Sequence, residues 1–420
     1  MAFKITTLVP TSDVPVDEPF AVNADYLADP LPLKVNLGIG VYRTDEGYPW
    51  PLPAVLRAEQ SLHSDANLSR HEYLAIQGDS KFLDLARDVA FDFSPDSRSG
   101  NLDRARVVSV QTVSGTGANH VGAAYLSAVL RPQRVWLPNP TWGNHLAIWE
   151  RVGVNICNYP YYDEVNHQFD FAGMMAVLQS EAQPGDVLLL HACAHNPTGS
   201  DPEEMQWKLI ADLCQSQGLV PFFDLAYQGF ASGSVSRDAW AIKHFFGRSG
   251  VEFCVAQSFS KNFGLYGQRV GALHVALVKS SIPLRHKAIE SLCHLVRSEY
   301  SMAPRAGSDI VRRTLESPEI RAQWHADLAT MSKRIRVVRE ALYNELLQLG
   351  TPGSWKHIVE QIGMFSYTGL STKQVLAIRQ RYSVYMLQSG RISLSGLTTK
   401  NVSYVARAVD DVIRTVGESS

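Results

Sequence analysis

The segment Asp186–His191 reads Asp-Val-Leu-Leu-Leu-His, a nearly unbroken aliphatic run of strand length. A strand with one wetted face alternates apolar and polar residues. An unbroken run instead suits a strand covered on both faces, as in a parallel sheet flanked by helices. From about residue 105 to 275 other extended runs accompany it: Arg106–Val113, Arg134–Leu137, Val220–Asp224, Phe253–Gln257 and Arg269–Val275. They alternate with helical patterns at Ala118–Leu130, His145–Val152 and Glu204–Gln217. Such alternation predicts βαβ units and a mostly parallel sheet, with Pro138 stopping the Arg134 run. After about Ser301 the pattern changes. Asp309–Leu349 reads as a long helical stretch, one bent helix or two. Strands of a second, smaller sheet are expected at Gly363–Thr368 and Arg391–Leu394, then a helix over Thr399–Val416.

Charge narrows the function classes. Across 420 residues, 39 Lys and Arg face 41 Asp and Glu, a net charge of −2. That balance argues against nucleic acid or an anionic membrane as the main partner. A few arginines inside a pocket for a small anion are invisible in such a total. No apolar run approaches the roughly 18 residues needed to span a bilayer. The five cysteines are scattered without a Cys-x-x-Cys pair, so free thiols are expected rather than a disulfide or zinc framework, and no metal. Met1–Pro15 has one Lys, no Arg and neither a secretory nor a mitochondrial pattern, which makes the cytoplasm the expected compartment.

Four stretches carry candidate chemistry, each with a plainer reading beside it. In Ser258-Phe-Ser-Lys-Asn-Phe-Gly-Leu-Tyr-Gly-Gln-Arg-Val-Gly271, Lys261 follows directly on a buried strand. Partial burial is what makes a lysine amine neutral enough to attack a carbonyl carbon. Ser258 and Arg269 are suited to hold a phosphate beside it. Read alone, a lysine is usually solvated. Asp224, in Asp224-Leu-Ala-Tyr227, ends a continuous apolar strand, where a carboxylate needs a cationic partner; the plain alternative is a helix cap. His195-Asn-Pro-Thr-Gly199 follows another strand and by itself is simply a turn. Ser114-Gly-Thr-Gly117 lies between a strand and a helix, where free N–H groups suit a phosphate, although a short Gly-rich loop is weak on its own. All four fall at the C-terminal ends of expected parallel strands, the edge where open α/β sheets bind ligands.

Together these residues resemble the fold-type I pyridoxal-phosphate enzymes, specifically the aspartate aminotransferase family. The resemblance runs from about Phe20 to Val416. Its strongest segments are Asn36-Leu-Gly-Ile-Gly-Val-Tyr-Arg43, His191-Ala-Cys-Ala-His-Asn-Pro-Thr-Gly199, Phe223-Asp-Leu-Ala-Tyr-Gln-Gly-Phe-Ala231 and Gly390-Arg-Ile-Ser393. It implies an α/β fold with a mostly parallel seven-stranded sheet in a large domain over 51–325, and a smaller α/β domain from 1–50 and 326–420. It also implies pyridoxal 5′-phosphate held on Lys261 as a Schiff base, with Lys261 then moving the α-proton. Asp224 would pair with the pyridine nitrogen and His145, in Trp142-Gly-Asn-His145, would support Asp224. Asn196 and Tyr227 would hydrogen-bond the phenolic oxygen, Trp142 would stack on the ring, and Gly115, Thr116, Ser258 and Arg269 would hold the phosphate. Tyr73, in Glu72-Tyr-Leu-Ala-Ile76, would reach the other subunit's phosphate in a homodimer with shared sites. Arg391 would clamp the substrate α-carboxylate with Gly38 beside it, and Arg297 would cross the dimer to the distal carboxylate of aspartate or glutamate. Trp142 and Asn196 would also touch substrate.

The implied reaction is amino transfer between an L-amino acid, preferably aspartate or glutamate, and a 2-oxo acid. The family usually continues Tyr-Ser with Asn-Pro-Pro; here Tyr300-Ser301 is followed by Met302-Ala-Pro304 and Arg305. That altered rim keeps alternatives open: an aromatic or specialised amino acid, or elimination, decarboxylation or replacement with the same cofactor. A non-catalytic scaffold on this fold is opposed by the intact set Lys261, Asp224, Asn196, Tyr227 and Arg391.

Overall fold

The structure, a computed structural model, describes residues 16–65, 71–93, 104–248 and 250–417. Seven strands form the central sheet in the order Val107–Val113, Val270–Ala276, Phe253–Ser258, Val220–Leu225, Val187–His191, Arg134–Asn139 and Asn155–Pro160. Val270–Ala276 runs antiparallel to both neighbours and every other pairing is parallel. The aliphatic run explains itself here. Leu188 and Leu190 enter one hydrophobic core while Val187 and Leu189 enter the other, so both faces of that strand are covered. The helix Ser114–Val129 packs on the second face, and Gly122 lets it approach. A Cβ at that glycine would lie 2.6 Å from Cε2 of Phe222, closer than packed atoms allow.

Three local expectations change. The edge strand Asn155–Pro160 is absent from the sequence reading because its half-wetted, Asn-containing run lacks an aliphatic signature. Pro138 does not end its strand: it lies opposite Tyr159, while pairing on the other side involves only Val135 and Trp136. A residue without N–H is tolerated where one ladder has already ended. Ser114–Gly117 is not a loop but the first turn of its helix, entered through Ser114 at φ 64°.

Beyond the sheet, the long helical pattern divides at Ser317 into Arg305–Glu316 and the 31-residue helix Pro318–Gln348. Pro318 is favourable at a helix start and disruptive inside one; Ser317 accepts the N–H of Ile320 at 3.3 Å. Two small sheets follow. Val35–Asn36 pairs in parallel with Val384–Tyr385, and Phe365–Tyr367 pairs antiparallel with Arg391–Ser393. These pairings bring the N-terminal Gly38 against Arg391. The last helix is Val402–Thr415.

Candidate active site

The ends of Val187–His191, Val220–Leu225 and Phe253–Ser258 open onto a cleft of about 350 Å³. Lys261 lies on its wall three residues beyond the last of these strands, with Nζ 5.4 Å from the centre of the Tyr227 ring. Burial pushes its amine down to about 8, against the opposing pull of Asp224. Among the described residues no carboxylate pairs with Nζ within 4.0 Å. The amine is therefore held ready to lose its proton.

Asp224 is buried at the end of its strand, 8% exposed. Burial alone would raise its pKa, but the hydrogen bond from His145 and the charges around it hold the carboxyl below its usual range. A directed chain stands behind it. The Asn196 N–H donates to Nδ1 of His191 at 3.3 Å, which leaves the His191 proton on Nε2, 3.3 Å from the Thr141 hydroxyl. That hydroxyl can then donate to Nδ1 of His145 at 2.9 Å, and Nε2 of His145 donates to Asp224 Oδ2 at 3.1 Å. Burial lowers His191 to about 3 and keeps it neutral, as the chain requires. His195, stacked 3.7 Å from Tyr161, closes the back of the network.

An anion cradle occupies the other end of the cleft. The helix Ser114–Val129 has no side-chain cap, so the N–H groups of its first turn beyond Ser114 are open to a ligand. Ser114 and Arg269 both adopt left-handed φ, 64° and 53°, and the Ser114 N–H donates to the Arg269 carbonyl at 3.1 Å. Two non-glycine residues strained side by side are typical of a backbone shaped for a ligand. Gly115, Thr116, Ser258, Ser260 and Arg269 line this end. A Cβ on Gly115 would stand 2.7 Å from Cβ of Ser258, so only glycine fits between helix and strand.

Arg391 forms the third part. It is 5% exposed, lies 4.3 Å from the centre of the Phe365 ring, and donates from Nη1 to Asn196 Oδ1 at 3.3 Å and from Nη2 to the Gly38 carbonyl at 2.6 Å. Burial lowers it to about 10, which leaves it charged at neutral pH. Its buried Nε has no partner, and among the described residues no carboxylate lies within 4.0 Å of the guanidinium. A buried cation without an anion is costly unless a ligand supplies one.

The cleft thus gathers Lys261, Asp224, Tyr227, Trp142, Asn196, Gly115, Thr116, Ser258, Arg269 and Arg391. Trp142 meets His145 edge-on at 5.2 Å, and Gly38, next in the chain to the wall residues Ile39 and Gly40, reaches the site through its carbonyl on Arg391. Two expected residues lie elsewhere. Tyr73 is 80% exposed, and Arg297 is exposed on the helix Ile282–Glu299, donating to the Ser301 hydroxyl. Sequence reasoning missed Thr141, His191, Ser260, Tyr266 and Phe365. His191 alone had a signal, as a polar residue ending an aliphatic strand. The five cysteines are free thiols, and no helix among the described residues is long and apolar enough to cross a membrane.

Comparison with known proteins agrees with this geometry. The chain is 54% identical over 397 residues to the L-tyrosine:2-oxoglutarate aminotransferase of Aspergillus ustus, covering 94% of this chain and 76% of that protein. The cytoplasmic aspartate aminotransferase structure from Saccharomyces cerevisiae superposes with a TM-score of 0.92 at 41% identity, covering 97% and 98% of the two chains. The Burkholderia pseudomallei aromatic-amino-acid aminotransferase, a structure covalently bound to pyridoxal phosphate, gives 0.90 at 36% identity over 97% and 100%. These relatives are named as aminotransferases, so elimination, decarboxylation and replacement gain no support from them. The family described as aminotransferase class I and II matches residues 32–409, and the chain belongs to it.

Proposed function

We propose that the protein is a pyridoxal-5′-phosphate-dependent aminotransferase that moves an amino group between an L-amino acid, aspartate or glutamate by preference, and a 2-oxo acid. One arrangement carries the reading: a lysine amine of lowered pKa, a buried carboxylate backed by His145, and an uncompensated buried arginine all face one cleft. The donor set fits the cofactor. Gly115, Thr116, Ser258 and Arg269 offer a phosphate open N–H groups, hydroxyls and a guanidinium, and a Cβ at position 115 would fill the cradle.

When bound, the cofactor supplies a protonated ring that withdraws electrons from the substrate Cα. Asp224 would keep the ring nitrogen protonated, with His145 as its support. Asn196 and Tyr227 would hydrogen-bond the phenolic oxygen, and Trp142, on the cleft wall, would pack against the ring. Lys261 would hold the cofactor through its amine and serve as the base at the substrate Cα, a positioned base worth roughly a hundredfold or more. Arg391 holds the α-carboxylate in its fork, with Asn196 and Gly38 fixing the guanidinium. Tyr73 and Arg297, both directed to solvent, would serve the site of a second copy in a homodimer. We place the large domain at 51–325 and the small one at 1–50 with 326–420, and the protein in the cytoplasm, where the relative from Saccharomyces cerevisiae is placed by name.

A second reading has an aromatic amino acid as donor and 2-oxoglutarate as acceptor. It is favoured by the 54% identity to the tyrosine enzyme and by the altered rim at Met302, Ala303 and Arg305. Incubating the purified, cofactor-loaded protein with single amino acids and measuring the 2-oxo acid released tests both. Faster release from aspartate than from tyrosine supports the first; fast release from tyrosine with 2-oxoglutarate as the best acceptor supports the second. No 2-oxo acid from any donor removes transamination.

A further inference from the structure

Arg305 opens the helix Arg305–Glu316 within the segment where the sequence departs from its family's Asn-Pro-Pro. Its guanidinium reaches back to the segment that carries Tyr73. Nε donates to the Glu72 carbonyl at 3.2 Å and Nη2 to the Tyr73 carbonyl at 3.3 Å. Two successive carbonyls suit a planar fork of donors, which a lysine ammonium would not reproduce.

The far end of this segment is tied to the sheet. Gln77 Nε2 donates to the Ser109 carbonyl at 2.9 Å, the Gln111 N–H donates to the Gln77 carbonyl at 2.8 Å, and Gln111 Oε1 accepts the Asp79 N–H at 3.1 Å. The Tyr73 end has no such tie to the sheet among the described residues. Among the described residues, Arg305 alone sends side-chain hydrogen bonds into 72–76 from a distant part of the chain. Arg305 is itself well placed, because Gln111 Nε2 donates to the Pro304 carbonyl at 2.8 Å. The strand Val107–Val113, which runs into the anion cradle at Ser114, thus sets the start of the Arg305 helix, and Arg305 passes that register to Tyr73.

We infer that Arg305 is a positioning residue for Tyr73, holding the backbone of 72–73 so that the phenol reaches the cofactor phosphate of a second copy of this chain. The inference rests on the proposed role of Tyr73 and adds the residue that aims it.

The test uses the full-length protein and its Tyr73→Phe, Arg305→Ala and doubly substituted forms. Cofactor-free samples are titrated with pyridoxal phosphate and followed by absorbance of the bound form, and sedimentation gives the oligomeric state. Each single substitution weakens cofactor binding roughly three- to tenfold, as expected for one or two lost hydrogen bonds. The double form binds no more weakly than Tyr73→Phe alone. If Tyr73→Phe weakens binding and Arg305→Ala does not, the inference falls while the role of Tyr73 stands. Losses that multiply in the double form also overturn it, since the two residues then act separately. An Arg305→Ala protein that becomes monomeric while Tyr73→Phe stays dimeric makes Arg305 an interface contact instead. Wild-type binding by Tyr73→Phe removes the role of Tyr73, and the inference with it.

Discussion

Nε2 of His145 donates to Oδ2 of Asp224 at 3.1 Å, with the two residues 0% and 8% exposed. A carboxylate this dry keeps its charge only through its partners, and the chain through Thr141 and His191 fixes which His145 nitrogen carries the proton. Asp224→Asn removes the charge at almost constant volume. The expected result is a kcat/KM at least roughly a hundredfold lower, since each pKa unit lost at the ring nitrogen corresponds to about 1.4 kcal/mol. Thr141→Val interrupts the chain one step further back and is expected to cost roughly tenfold or less. Steady-state rates normalised to bound cofactor measure both.

Arg391 is presented to the cleft with one nitrogen unpartnered. Arg391→Lys keeps the charge and loses the two-pronged geometry. KM for amino acid and oxo acid should rise roughly tenfold or more, with cofactor affinity within a factor of two. A fall in kcat with KM unchanged would place the α-carboxylate elsewhere.

Gly115→Ala puts a methyl group 2.7 Å from Cβ of Ser258 at the helix start. Overpacking of this kind costs about 1–3 kcal/mol, and here it also displaces the N–H groups facing the cradle. Equilibrium dialysis of pyridoxal phosphate should show affinity roughly tenfold weaker or worse, with a lower melting temperature in the cofactor-free state. Unchanged affinity would move the phosphate away from this helix.

In the cofactor-free protein, burial lowers Lys261 to about 8. The folded state then binds its proton less tightly than the unfolded chain does. Below pH 8 both states are protonated and the destabilisation is complete; stability rises as pH passes from about 8 towards the ordinary lysine range. The full effect is at most about 3 kcal/mol, less where solvent entering the cleft screens the charge. Cofactor-free Lys261→Met should therefore be more stable than wild type at pH 7 by denaturant titration, with the gap narrowing by pH 10. A constant gap would assign it to packing.

Much of this was legible in the chain and some was not, for physical reasons. Asp186–His191 and Glu204–Gln217 declare themselves because burial on two faces, or on one helical stripe, leaves a local pattern. Lys261, Asp224 and Asn196 could be grouped because parallel strands deliver their ends to one edge. The Thr141–His191 contact joins residues 50 positions apart and leaves no periodic trace. Asn155–Pro160 is an edge strand, half wetted and polar. Ser114–Gly117 looked like a loop because small residues suit both a loop and an uncapped first turn. Tyr73 and Arg297 are exposed and do not line their own cleft, so within one chain the fold ties neither to a site, and only the family resemblance does.

The measurement that bears most directly on the account is borohydride reduction of the cofactor-loaded protein, followed by peptide mass mapping, for wild type and Lys261→Ala. The account predicts one cofactor group fixed on the Lys261 peptide of wild type, none in the variant, and nearly complete loss of 2-oxo acid formation with that loss. A cofactor group fixed on another lysine, or full turnover by Lys261→Ala, would contradict it.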